Sequence, residues 1–211
     1  MNHAAKLALA GGLFAAATAA QAEFSANVAL STDYVWRGVS QTNEDPAISG
    51  GFDYNHDSGF YAGVWGSNVE FHSDAHIELD LYGGWAHDFG NGFGLDLGVI
   101  GYNYPSEDDL NFQELYVGGS YKFVSAKYSY DPDNKNGYLE AAVDFEVGQG
   151  VNLGAHVGHY DFDQGDDYTD YKLAVSKELG GFGFELAYTD TDIDNSDIAD
   201  GRLVLSVSKS M

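Results

Sequence analysis

The sequence predicts an all-β protein: an antiparallel, up-and-down transmembrane β-barrel of about twelve strands. Three observations predict it. Apolar and polar residues alternate along segments about ten residues long, the length of a tilted strand that crosses a bilayer. The connections between these segments alternate between short and long. The composition is rich in Gly (27), Tyr (15) and Phe (13) but poor in Pro (3), which suits twisted sheets better than helices.

Met1 to Ala22 has the make-up of a secretory signal peptide. Lys6 supplies a positive n-region, Leu7 to Ala17 an apolar h-region, and Ala20-Gln21-Ala22 a small-x-small cleavage site. The mature protein would begin at Glu23. From there the first strand reads Phe24 to Trp36, with Val28, Leu30 and Tyr34 on one face and Asn27 and Asp33 on the other. Ala47–Asn55 alternates Ile48, Phe52 and Tyr54 with Ser49 and Asp53. Phe60–Asn68 carries aromatics on both faces. Ala75–Tyr102 is a hairpin around Asp88–Gly92: Ile77, Leu79, Leu81 and Trp85 oppose Glu78 and Asp80, and Phe93, Leu95, Leu97 and Val99 oppose Asp96. Phe112–Tyr121 and Val124–Tyr130 follow. Tyr138–Val147 sets Leu139, Val143 and Phe145 against Glu140, Asp144 and Glu146. Val151–Tyr160, Tyr168–Lys177, Phe182–Thr189 and Arg202–Lys209 complete the set. Phe60–Asn68 and the turn at Tyr121 are the weakest segments, so ten and fourteen are the neighbouring strand counts.

Turns near Asn55–Gly59, Asp88–Gly92, Lys122–Phe123, Gly148–Gly150 and Leu179–Gly181 are short. Those near Gly38–Asp45, Phe71–Asp74, Pro105–Asn111, Asp131–Gly137, Asp161–Asp167 and Asp190–Gly201 are mostly longer and acidic. Outer-membrane barrels have short periplasmic turns and long external loops. Small soluble barrels are apolar inside and membrane barrels are apolar outside, so alternation alone does not choose between them. The export signal, the Gly-rich acidic face and the aromatics near strand ends tilt the choice. Those aromatics are Tyr34, Trp36, Trp85, Tyr102, Tyr104, Tyr128, Tyr130 and Tyr188, the expected interfacial girdles.

Charge and cysteine content exclude several classes. The chain carries nine Lys and Arg against 33 Asp and Glu, net −24; without Lys6 the mature chain stands at −25. Such a surface repels nucleic acid. There is no cysteine, hence no thiolate metal site and no lipoprotein anchor. Mean hydropathy is −0.27, with no apolar run long enough for a membrane helix. His72 and His76 fall at a loop–strand junction, not on a helix, so no zinc site is expected, and no cofactor is called for.

The first third resembles a known family. The run Ser31-Thr32-Asp33-Tyr34-Val35-Trp36-Arg37-Gly38-Val39-Ser40-Gln41-Thr42 is followed by Asp45-Pro46-Ala47, Gly50-Gly51-Phe52-Asp53-Tyr54 and Trp65-Gly66-Ser67-Asn68-Val69. These, with Glu114-Leu115-Tyr116-Val117-Gly118 and Ala126–Tyr130, resemble the TorF family of porins. The resemblance implies an outer-membrane β-barrel that passes small solutes. One departure is the C-terminus: many such barrels end in Phe or Trp, resembling a signal read by their assembly machinery, where this chain ends in Met211.

If the strand phase holds, the lumen receives Asp53, Glu78, Asp80, Asp96, Glu114, Glu140, Asp144, Glu146, Asp170 and Glu185, with Lys127, Lys172 and Arg202. Arg37, just past the first strand, is read either as a constriction residue or as the anchor of a loop. The excess of acids favours cations in a wet pore. The expected function is an outer-membrane porin or channel for small solutes, cation-leaning, in a Gram-negative envelope. Its partners are outer-membrane lipid, the assembly machinery and the solutes themselves. The alternatives are a closed barrel with a structural or surface-binding role and a lipid-modifying enzyme. No G-x-S-x-G or similar nucleophile motif is present, so the reading is not an enzyme.

Overall fold

A computed structural model describes residues 23–211; the segment read as an export signal, Met1–Ala22, lies outside them. Alternating sequences give extended strands whose two faces differ. The long ones are β1 (Glu23–Ser31), β4 (Ala47–Asn55), β5 (Phe60–Asn68), β6 (Ile77–Asp88), β7 (Phe93–Asn103), β8 (Phe112–Tyr121), β9 (Val124–Asp131), β10 (Asn136–Gly148), β11 (Val151–Asp161), β12 (Tyr168–Leu179), β13 (Phe182–Thr191) and β14 (Arg202–Ser210). Each pairs antiparallel with its neighbours in sequence, and β1 pairs with both β4 and β14, closing a twelve-stranded barrel. Closure runs to the last residue: Ala26 and Met211 exchange backbone hydrogen bonds of 3.0 and 2.8 Å. A separate two-stranded hairpin, β2 (Val35–Trp36) with β3 (Val39–Ser40), stands apart from the wall.

The faces have inverted polarity relative to a soluble barrel. Leu30, Leu81, Leu173 and Leu203 are 58, 56, 61 and 67% exposed, whereas Glu78, Asp80, Glu114 and Asp170 on the opposite phase are 5% exposed or less. Such a continuous apolar belt is foreign to a soluble surface and is the outer face of a membrane barrel. Register carries one phase around the ring: Phe52 lies opposite Val64, Val64 opposite Leu81, Trp85 opposite Leu97, and Leu97 opposite Val117. That settles β5, whose two aromatic faces are ambiguous in sequence: Phe60 and Val64 point out, Tyr61 and Trp65 in.

Two expectations change. The first strand ends at Ser31, not Trp36. Alternation continues past Ser31, but Asp33 binds the Ser40 and Thr42 hydroxyls and folds the chain back into the hairpin. Tyr34, Trp36, Tyr102 and Tyr104 therefore belong to aromatic packing inside the barrel, not to an interfacial girdle. Tyr128, Tyr130 and Tyr188 do lie on the outside.

Candidate functional site

The lumen is organised by the hairpin. Its root is Asp33, whose Oδ1 accepts from Ser40 Oγ (2.7 Å) and lies 2.9 Å from Thr42 Oγ1. The other oxygen accepts from Arg202 Nη1 of β14 (3.1 Å). Across the base, the Gln41 amide donates to the Tyr34 carbonyl (2.6 Å). The tip is Arg37-Gly38, with φ of 49° and 82°. Two consecutive left-handed residues make the tight turn that matches strand twist. Gly38 is required twice over, because a Cβ there would also run into Thr191 and Asp170.

The tip reaches across the bore. Arg37 Nη2 donates to Glu114 Oε2 at 2.7 Å, with both side chains buried. The guanidinium also lies 4.2, 4.0 and 4.8 Å from the ring centres of Trp36, Tyr138 and Tyr160. Tyr168 donates to the Arg37 carbonyl (3.1 Å), and Tyr34 donates to Glu78 Oε1 (2.7 Å). Glu78 also accepts from Tyr104 (2.8 Å). Trp36 packs edge-on to Tyr102, Phe112 and Tyr160, joining aromatic clusters on opposite walls. The hairpin thus ties the β6–β8 wall to the β10–β12 wall at the long-loop end.

Electrostatics fix the protonation of the loop groups. Burial alone would lower the Arg37 pKa, but Glu114 outweighs it and the net shift is upward, so the guanidinium stays charged. Burial, then the Glu78 carboxylate, pushes the Tyr34 and Tyr104 hydroxyls upward, keeping both as donors.

Nearer the short turns the two walls differ. On β4–β8, carboxylates meet tyrosines: Tyr82 donates to Asp53 (2.5 Å), Tyr61 donates to Asp96 (2.7 Å), and Tyr61 also meets the Tyr116 hydroxyl. On β9–β14, acids meet bases. Lys127 binds Glu140 (2.8 Å), His156 lies 3.1 Å from Glu140 and 3.3 Å from Asp170, and Lys172 binds Glu185 (2.8 Å). The inward glycines of the acidic face seat these tyrosines. Gly63, Gly84 and Gly98 lie directly opposite Tyr82, Tyr61 and Tyr116, and a Cβ on any of them would strike the ring.

Every candidate read from strand phase faces inward: Asp53, Glu78, Asp80, Asp96, Glu114, Lys127, Glu140, Asp170, Lys172, Glu185 and Arg202 in the bore, Asp144 and Glu146 at its short-turn mouth. Arg37 joins them from the loop rather than from the wall. Of the two readings open for it, the loop anchor describes its bonds. Sequence reasoning left Asp33 and His156 on the polar face without a role and passed over the inward tyrosines. His156 and Tyr138 share the phase of Glu140, a usable signal; nothing in the spacing places Asp33 at the hairpin root.

A family model described as "Bacterial protein of unknown function (Gcw_chp)" matches residues 15–210. No curated protein sequence matches the chain. Among solved structures, a KdgM porin superposes with a TM-score of 0.66 at 10% identity, covering 89% of this chain and 99% of that one. A KdgM porin in complex with disordered oligogalacturonate gives 0.64 at 10% identity, over 89% and 99% of the two chains. A NanC porin gives 0.59 at 10% identity, over 88% and 98%. At this identity the likeness is one of fold: a closed, porin-like barrel.

Proposed function

We propose that this chain, which belongs to the Gcw_chp family of bacterial proteins of unknown function, is an outer-membrane channel for small solutes that favours cations. One observation carries the cation preference. Each base in the bore already has an acid: Arg37 has Glu114, Lys127 has Glu140, Lys172 has Glu185, and Arg202 has Asp33 and Glu44. Among the described residues, Asp53, Glu78 and Asp96 are bonded to tyrosines rather than to bases and Asp80 has no bonded base, so acids outnumber bases along the lumen, which supports a preference for cations. A polyanion such as the oligogalacturonate bound by the KdgM neighbour would be repelled here.

The apolar belt, the porin fold and the resemblance to TorF porins support the outer membrane as location, with Met1–Ala22 as export signal. Lipid around the belt and the assembly machinery are then its partners. The porin likeness also favours a channel over a lipid-modifying enzyme. In planar bilayers under a KCl gradient, the reversal potential should report cation over anion permeation, and Asp53→Asn with Asp96→Asn should reduce it. Anion preference would overturn the proposal.

A second reading is a closed barrel with a structural or surface-binding role. It is supported by Trp36, which links the aromatic clusters of both walls across the bore. It predicts inserted barrels without conductance steps.

A further inference from the structure

We infer that the cage around the Arg37 guanidinium is a binding site for small guanidinium-bearing cations, occupied in this structure by the chain's own hairpin tip. The wall supplies the recognition chemistry. Glu114 offers a carboxylate, Tyr138 and Tyr160 offer ring faces at 4.0 and 4.8 Å from the guanidinium carbon, and Tyr102 OH lies 3.4 Å from the same Glu114 oxygen. A planar cation held by a carboxylate and π-faces is the pattern by which guanidinium and ammonium ligands are recognised.

Two features mark Arg37 as a displaceable occupant. Glu114 engages it through Nη2 alone, and Nη1 is buried with no hydrogen-bond partner among the described residues. A permanent structural lock of this kind is ordinarily bidentate, with its remaining donors satisfied. On the wall, Asp80 is 5% exposed and its Oδ1 has no partner either. It lies directly across the ladder from Tyr102, whose hydroxyl is 3.4 Å from Glu114. An orphan donor on the tip and an orphan acceptor on the wall are what a tethered cation leaves when its backbone cannot turn it to use both acids. The backbone is itself constrained, since Arg37 is held at φ 49° in the turn. A free guanidinium has no such tether and can turn to use the donor that Arg37 leaves idle.

Binding requires only the folded barrel; passage of the bound cation rests on the channel reading above. The test uses the full chain refolded in detergent, with the variant Arg37→Ala and, as an alternative that keeps a neutral polar side chain, Arg37→Gln. Heat-modifiable mobility on SDS gels verifies the fold. Methylguanidinium is titrated against tryptophan fluorescence, with urea as the neutral isostere. Either variant should show a saturable change at a concentration at least about tenfold lower than the wild type, where Arg37 competes for the site. Adding Glu114→Gln should abolish it. A folded Arg37 variant without a saturable response, or with an equal response to urea, overturns the site. Saturable binding without methylguanidinium uptake into vesicles would leave the site standing and count against the channel alone.

Discussion

Gly63 shows how finely single positions are fixed. It lies opposite Tyr82, whose ring covers the space a Cβ would need before its hydroxyl reaches Asp53. Gly63→Val should therefore destabilise the barrel by about 1–3 kcal/mol through overpacking. Gly101→Ala, on the outward phase with only ordinary van der Waals neighbours, should change stability by less than about 0.5 kcal/mol. Urea midpoints of the heat-modifiable band measure both. Strand phase made the inward positions legible at this scale, because a period of two assigns each side chain a face. The Gly–Tyr seating was not legible. It depends on which residue lies across the ladder, and an alternating pattern fixes faces without fixing partners.

At the scale of elements, the hairpin of β2 and β3 rests on a buried ion pair in which neither charge can cheaply be left without an opposite one. Glu114→Gln leaves the Arg37 guanidinium uncompensated and should cost about 3–5 kcal/mol, while Arg37→Met combined with Glu114→Gln should recover part of that loss. Lys172–Glu185, whose side chains are 28% and 15% exposed, should matter less: Glu185→Gln should cost about 1 kcal/mol or less. Chemical denaturation of the refolded protein distinguishes the two. The twelve wall strands were readable because each is long enough to repeat its alternation. The hairpin was hidden inside the first of them. Val28, Leu30, Tyr34 and Trp36 keep one even phase, interrupted only by Thr32, so periodicity barely registers that the chain has left the wall. Gly38, the residue type that a left-handed turn favours, was the signal that could have marked it.

For the whole molecule, the sign of the faces decides where it can live. Leu97 is 43% exposed between Trp85 and Val117, in the middle of the apolar belt. Leu97→Arg should lower the fraction folding into lipid vesicles, since Arg at the bilayer midplane costs about 2–4 kcal/mol. Gel mobility with and without heating reads that fraction. The fold class was legible because three independent patterns agreed on it: alternation, loop rhythm and composition. The filling of the bore was not, because it arises from one loop meeting walls far away in sequence. The link between Asp33 and Arg202 illustrates this, spanning 169 positions from the root of the first loop to the start of the last strand. Arg202 also reaches Glu44 in the same loop. A chain synthesised from its N-terminus cannot complete this latch until β14 exists, and β14 is also the strand that seals the ring against β1. The last tie at the hairpin root and the sealing of the cylinder therefore fall to the same strand, and a barrel that closes around a misplaced loop leaves Arg202 without its acid at the final joint.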